Sequence, residues 1–334
     1  MSVGGGVGGV VLKKPRRLKP GDRIVLASPS KAPEPAAVEK AACRLRALGY
    51  EVVVPDDLCL RRGYLAGSDR ARAERLNGAL LDEETACLLC MAGGYGAMRL
   101  LPFLDWDRLA ARRIPPAIVG FSDITALHIA LNRRLGWVTY HGPMGMTMWG
   151  GDEPPAPALA EQFWASLGAL VPGGTSVFWP LPFMEHPVPV PLAPGVAEGR
   201  LCGGNLALVT ALMGTPWEID TRGTILFLED VGEEPYRVDR MLCELALAGK
   251  LEVCAGILLG GWTHCHAETP NASLRLEEVF EDYFVGLGIP VLSGWPSGHL
   301  PNQLTLPLGV RVRIDTGAGP EGLLSLLETP WQEA

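Results

Sequence analysis

The chain has 334 residues, 48% of them hydrophobic and 20% charged, with a net charge of −8 at pH 7. That length and apolar content suit one large or two medium domains with ample core, and the acidic balance excludes the basic surface expected of a nucleic-acid binder. No apolar run reaches the length of a membrane span. The Gly- and Val-rich start over 1–11 lacks a basic region followed by a continuous apolar stretch, as a secretory signal would require, so a cytoplasmic location is expected.

Residues 1–17 read as a disordered arm. The short basic cluster Lys13-Lys-Pro-Arg-Arg17 within it reads as solvated rather than as a binding patch. From residue 18 to 178, strands and helices alternate. The spacing predicts a helix over Pro35–Leu48 that stops at Gly49 and feeds the strand Glu51-Val-Val-Val54, and Ser68 is placed to cap a helix over Asp69–Leu81. Cys87-Leu-Leu-Cys-Met91 is an apolar strand running into the Gly-rich turn Ala92-Gly-Gly-Tyr-Gly96, before a helix that begins near Ala97. Cys87 and Cys90 form a C-x-x-C, but three residues apart on a strand they point to opposite faces, which disfavours a metal or redox pair. The eight cysteines lie mostly in apolar segments and read as reduced core thiols rather than a disulfide framework. Alternation of this kind implies an α/β fold with a mostly parallel sheet and right-handed crossovers.

Ala117-Ile-Val-Gly-Phe-Ser-Asp-Ile-Thr-Ala-Leu127 is an uncharged strand that ends on one serine and turns straight into a helix, with Ile124, Leu127 and Leu131 at helical spacing. Such a turn lifts the Ser122 hydroxyl out of the sheet beside backbone N–H groups at a helix N-terminus, where an oxyanion is stabilised. Ser122 is therefore a candidate nucleophile; the competing reading is a simple N-cap with Asp123 in the first turn. The Gly-rich turn lacks both Gly-x-x-x-x-Gly-Lys and the full Gly-x-Gly-x-x-Gly. It reads as a second source of oxyanion donors rather than a nucleotide site, with the backbone N–H groups of Gly94 and Asp123 as candidates.

The Pro-rich run over 179–197 is incompatible with a central strand or a helix interior and reads as a linker. Beyond it, in residues 198–334, Thr224-Ile-Leu-Phe-Leu-Glu-Asp230 is a strand whose last residues are acidic, which is where α/β proteins place their chemistry. Glu233 and Glu234 follow closely enough to compete with Glu229. His299 lies on the Gly- and Pro-rich loop Pro296-Ser-Gly-His-Leu-Pro-Asn302, where a surface residue is the ordinary alternative to a base. Ser122, Glu229 and His299 would supply nucleophile, orienter and base in the order used by α/β-hydrolases. His264-Cys265-His266 with Glu268 has the look of a ligand cluster, yet the serine chemistry needs neither metal nor cofactor, and none is expected.

Several blocks in order carry a resemblance to a known family. From Leu18-Lys-Pro-Gly-Asp-Arg-Ile-Val25 to Leu304-Thr-Leu-Pro-Leu-Gly309, through Gly93-Gly-Tyr-Gly96, Gly120-Phe-Ser-Asp123, His141-Gly-Pro-Met144, Gly203-Gly-Asn205, Leu228-Glu-Asp230 and Gly298-His299, the chain resembles the LD-carboxypeptidases. These are serine peptidases that include muramoyl-tetrapeptide carboxypeptidases and microcin-immunity peptidases. The resemblance implies a catalytic Ser122, Glu229 and His299, a smaller β-rich C-terminal domain that carries the last two, a site in the cleft between domains, and a homodimer. It also implies a small peptide substrate: the terminal D-Ala of murein tetrapeptides, cut at an L,D bond in cell-wall recycling. Two alternatives stand beside it. One is an amidase detoxifying microcin-like aminoacyl-adenylate antibiotics, for which Trp262 is the only hint; the other is a non-catalytic binding protein of the same fold. The family's usual Arg before Gly-Gly-Tyr-Gly is Ala92 here, which implies weaker turnover of ordinary tetrapeptide. A substrate carboxylate calls for a cationic partner, with Arg99, Arg237 and Arg240 as candidates.

Overall fold

The computed structural model describes residues 11–169 and 187–332. The first ten residues of the predicted arm, and 179–186 of the predicted linker, lie outside the described residues. In chain order, the first part contains β1 (Arg23–Ala27), α1 (Pro35–Ala47), β2 (Glu51–Val53), α2 (Asp69–Leu81), β3 (Thr85–Cys90), α3 (Trp106–Ala111), β4 (Ala117–Gly120), α4 (Thr125–Leu135), β5 (Thr139–His141) and α5 (Pro157–Ser166). The second contains β6 (Val190–Ala193), β7 (Val196–Asn205), α6 (Leu206–Ala211), β8 (Thr224–Val231), α7 (Pro235–Leu247), β9 (Gly256–Thr263), α8 (Leu276–Phe284), β10 (Val291–Ser293), β11 (Leu306–Leu308), β12 (Arg311–Asp315) and β13 (Leu324–Leu326).

The first sheet runs β11-β5-β4-β3-β1-β2 and is parallel from β5 to β2, as the alternating pattern predicts. Its central strands β3 and β4 are buried at every residue because helices cover both faces. Cys87 packs with Ile24 and Leu89 on one face, and Cys90 with Val25 and Leu88 on the other. The predicted helix start at Ser68 is realised: its Oγ accepts the Ala71 N–H at 3.2 Å.

Two expectations are corrected. The described part of the arm is tied down: the Lys13 N–H donates to Gly136 O at 2.7 Å, and the Arg17 guanidinium stacks 5.3 Å above the Trp331 ring. A backbone that pairs in this way and carries a cation on an indole is no longer a free tail. The end of the Pro-rich run forms β6, which pairs antiparallel with β10 at the sheet edge; Pro191 is tolerated there because an edge strand need not donate on its outer side. The C-terminal part is β-rich, as the resemblance implies, and its seven-stranded sheet is mixed: β7, β8, β9 and β10 are mutually parallel, with α7 and α8 as crossovers, and antiparallel strands flank them in the order β13-β12-β7-β8-β9-β10-β6. It also lends β11 to the first sheet, where Leu306–Leu308 pairs antiparallel with β5 and covers what would otherwise be an open edge. One apolar core therefore runs through both sheets, joining Ile24, Leu89 and Tyr140 to Leu201, Phe227 and Leu258. Among the described residues, no helix is long and apolar enough to cross a membrane.

Candidate active site

Ser122 opens a short 3-10 turn between β4 and α4 and has φ of +61°, a conformation that non-glycine residues rarely adopt. The neighbouring Asp123 is fully buried and holds that turn against the rest of the site. Its Oδ2 accepts the Ser30 hydroxyl and the Ala97 N–H, the latter at 2.8 Å. Burial pushes the Asp123 carboxyl above the usual range, opposed by those hydrogen bonds. Asp123 thus has two separate parts to offer: a side chain that pins loops, and a backbone N–H in the first turn of a helix, where such groups have no intrahelical acceptor.

The Gly-rich turn after β3 lies directly against the serine. A Cβ on Gly93 would come 2.9 Å from Ser122 Cβ and 3.1 Å from its Oγ, so only glycine lets the Gly93–Gly94 peptide pass this close. From the second sheet, β8 delivers Glu229 and Asp230 on opposite faces, as strand alternation requires. Asp230 turns to the end of β7, taking the Asn205 Nδ2 donor at 2.8 Å and the Ala207 N–H at 2.9 Å. Its carboxyl is raised to about 6, first by desolvation and partly by the charge of Glu229 beside it. Glu229, also fully buried, faces the 298–299 loop.

That loop completes the arrangement. His299 Nδ1 is 2.7 Å from Glu229 Oε2, and His299 Nε2 is 3.0 Å from Ser122 Oγ. The His299 backbone N–H donates to the same Oε2 at 3.2 Å, so this oxygen is an acceptor and Nδ1 is the protonated nitrogen. Nε2 is left to accept the serine hydroxyl. Gly298 makes the contact possible: with φ of +115°, a Cβ there would stand 2.7 Å from Glu229 Oε2. The Thr263 hydroxyl donates to His299 O at 2.5 Å, and Phe121 packs edge-on to the imidazole at 4.9 Å. The three side chains nominated from sequence are thus in contact, across separations of 70 and 177 residues.

The other nominated residues lie elsewhere. Glu233 is 3.9 Å from Arg237 at i,i+4, and Glu234 Oε2 accepts the Glu268 N–H at 3.2 Å. Arg99 is held by Asp69 at 2.6 Å, and Arg240 stacks 5.9 Å from the Tyr236 ring. His264 and His266 are exposed with ring centroids 6.3 Å apart, and among the described residues no three His, Cys, Asp or Glu side chains converge as a metal-binding group. Trp262 packs on Phe280 at 4.9 Å with its N–H buried, rather than standing free at a cleft. Sequence reasoning missed Ser30, Asn205 and Asp230; the Asn205 cap in Gly203-Gly-Asn205 before an apolar run is the one local signal that marks any of them. A cavity of about 290 Å³, lined by Asn132, Arg133, Arg200 and Asp220, sits beside the middle of β7 and the amino end of β8, with Glu229 toward the carboxyl end of β8 and not in its lining.

Comparison with known proteins agrees with this architecture. Residues 24–142 match the LD-carboxypeptidase N-terminal domain, and residues 198–314 match the LD-carboxypeptidase C-terminal domain. A probable murein peptide carboxypeptidase of Bacillus subtilis (strain 168) is 38% identical over 305 residues, covering 91% of this chain and 92% of its own. The murein tetrapeptide carboxypeptidase of Pseudomonas aeruginosa is 33% identical over 291 residues, covering 86% and 91%. The structure of the microcin C7 self-immunity protein MccF in complex with aspartyl sulfamoyl adenosine superimposes with a TM-score of 0.81 at 27% identity, covering 96% of this chain and 99% of that one. With both family domains matched and more than nine-tenths of the chain aligned to a relative at 38% identity, the protein belongs to the LD-carboxypeptidase family.

Proposed function

We propose that the chain is a serine carboxypeptidase that removes the terminal D-Ala from murein tetrapeptides at the L,D bond. The observation that carries this reading is the continuous hydrogen-bonded series from Ser122 Oγ to His299 Nε2 and from His299 Nδ1 to Glu229 Oε2. In it, His299 takes the Ser122 proton as the hydroxyl attacks the amide carbonyl, and later returns it to the leaving amine. Glu229 holds the tautomer in which Nε2 is free to accept, and stabilises the imidazolium that forms. The N–H groups of Gly94 and Asp123 stabilise the oxyanion, a role supported by the contact of Gly93 with Ser122 and by the position of Asp123 in the first helical turn. Peptide specificity is supported by the relatives described as murein peptide and murein tetrapeptide carboxypeptidases.

A second reading is amide cleavage of an aminoacyl-adenylate antibiotic, favoured by the structural likeness to MccF bound to an aminoacyl sulfamoyl nucleoside. Incubation with murein tetrapeptide and, separately, with an acyl-sulfamoyl adenylate separates the two by release of D-Ala or of the amino acid. In the active assay, Ser122→Ala should lower kcat by about a million-fold, the size of a nucleophile loss in a triad of the subtilisin kind. Activity within tenfold of wild type refutes the nucleophile and with it either hydrolytic reading.

A further inference from the structure

The glycine turn beside Ser122 lies against a cation, Lys31. Gly93 touches the serine; at the next residue, Gly94, a Cβ would come 3.2 Å from Lys31 Cδ and 3.4 Å from Lys31 Cβ and Cγ. The Lys31 stem therefore lies flat along the Gly94 backbone, one residue from the glycine that meets the hydroxyl. Its base is held in two ways. The Lys31 N–H donates to Gly93 O at 3.3 Å, and the preceding Ser30 hydroxyl donates to the Asp123 carboxylate that pins the serine turn. The side chain itself is exposed, and among the described residues its ammonium has no hydrogen-bond or ion-pair partner. Two of the three arginines nominated from sequence differ in this respect: Arg99 is clamped by both oxygens of Asp69, and Arg237 is occupied by the Tyr236 hydroxyl at 3.0 Å with Glu233 beyond it; Arg240 lies against the Tyr236 ring at 5.9 Å, on α7 and not on the serine turn.

We propose that Lys31 binds the free C-terminal carboxylate of the substrate, and so restricts the site to removal of one terminal residue; this rests on the reading of Ser122 as nucleophile. Successive units of a peptide are about 3.8 Å apart, so the carboxylate of the leaving residue stands about that far beyond the carbonyl bonded to Ser122. Gly93, which meets Ser122, and Gly94, which meets the Lys31 stem, are themselves one such step of about 3.8 Å apart, so the stem runs beside the path a leaving residue takes and its flexible end extends along it. A compact ammonium on a flexible stem meets a carboxylate without demanding a fixed fork geometry. Tyr64 and Tyr95, exposed and edge-to-face at 5.8 Å, flank the same turn, since Tyr95 follows Gly94 and the Ala66 N–H donates to Ser30 O.

The test compares Lys31→Met with wild type on murein tetrapeptide and on its C-terminal amide, by kcat/KM and by calorimetric Kd in a Ser122→Ala background. The variant should lose about tenfold or more toward the acid, the size of one charge-assisted hydrogen bond, and change by less than about twofold toward the amide. Lys31→Arg should recover the acid to within about threefold, because the charge is kept. Raising the salt concentration should weaken acid binding by wild type more than by Lys31→Met. An unchanged acid-to-amide ratio in Lys31→Met, with an active wild type, overturns the role of Lys31 alone. A wild type inert toward both forms, or a Ser122→Ala variant that turns them over, overturns the reading of Ser122 and the Lys31 proposal together.

Discussion

Replacing Glu229 by Gln tests the central geometry with almost no change of volume. Glu229 Oε2 receives two donors, His299 Nδ1–H at 2.7 Å and the His299 N–H at 3.2 Å, while Oε1 is buried without a hydrogen-bond partner among the described residues. A glutamine can meet this pair in two orientations. With its carbonyl toward the ring, the tautomer survives, but two amide protons enter the buried pocket of Oε1 and remain unsatisfied, at a cost of about 1–3 kcal/mol. With its NH2 toward the ring, one N–H serves Nδ1, the other meets the His299 N–H donor to donor, and the imidazole has to shift its proton to Nε2. Each orientation leaves two donors without an acceptor, and the second disables the base. In that second orientation Nε2 carries a proton and is unable to take another from Ser122, so kcat should fall on the order of 10⁴. That is about 5.4 kcal/mol at 1.36 kcal/mol per tenfold. D-Ala release from tetrapeptide measures it, with a thermal melt to establish that the fold is retained. Glu233→Gln is the control: Glu233 is part-exposed at 3.9 Å from Arg237, and such surface pairs contribute up to about 1 kcal/mol of stability and nothing to the proton relay. A crippled Glu233→Gln beside a Glu229→Gln within tenfold of wild type would refute the assignment.

Two further predictions concern stability and specificity. His128 is fully buried beneath the serine turn, with its Nε2–H donating to Gly120 O at 2.9 Å, and burial lowers its pKa to about 4. The unfolded chain, with His near 6.5, binds the extra proton first, so stability should fall as the pH drops from 7 to 5, by about 2 kcal/mol from this residue. Asp230, raised to about 6, acts in the opposite sense, because its folded form is the one that binds the proton more tightly in this window. The informative quantity is therefore the difference between wild type and His128→Gln in urea titrations at each pH; equal acid slopes would count against the buried neutral imidazole. Ala92 is only 3% exposed. Ala92→Arg should lower the melting temperature by forcing a guanidinium into a packed site, with no gain in kcat/KM on tetrapeptide. A variant of unchanged melting point that turns over tetrapeptide at least tenfold faster would show that this position governs specificity.

The strand-to-helix serine turn at Ala117–Leu127 is legible in the sequence because its signals are local. An apolar run long enough only for a strand ends on a small hydroxyl residue, and the helical spacing of Ile124, Leu127 and Leu131 follows without a gap. The opposite facing of Cys87 and Cys90, the Ser68 cap and the parallel first sheet follow from similarly short-range rules. The type and order of Ser122, Glu229 and His299 were also readable, but not their contact. Glu229 and Asp230 are adjacent carboxylates on one strand, and either face was open to either role until β7 approached on one side and the 298–299 loop on the other. What admits Glu229 to His299 is a glycine with positive φ at 298, whose significance appears only when the two segments are packed together. The transfer of β11 to the first sheet and the placing of the Lys31 stem against Gly94 were decided in the same way. Each depends on which groups, tens to hundreds of residues apart, are brought within bonding distance by burial of a shared core, and hydrophobic periodicity along the chain carries no record of those partners.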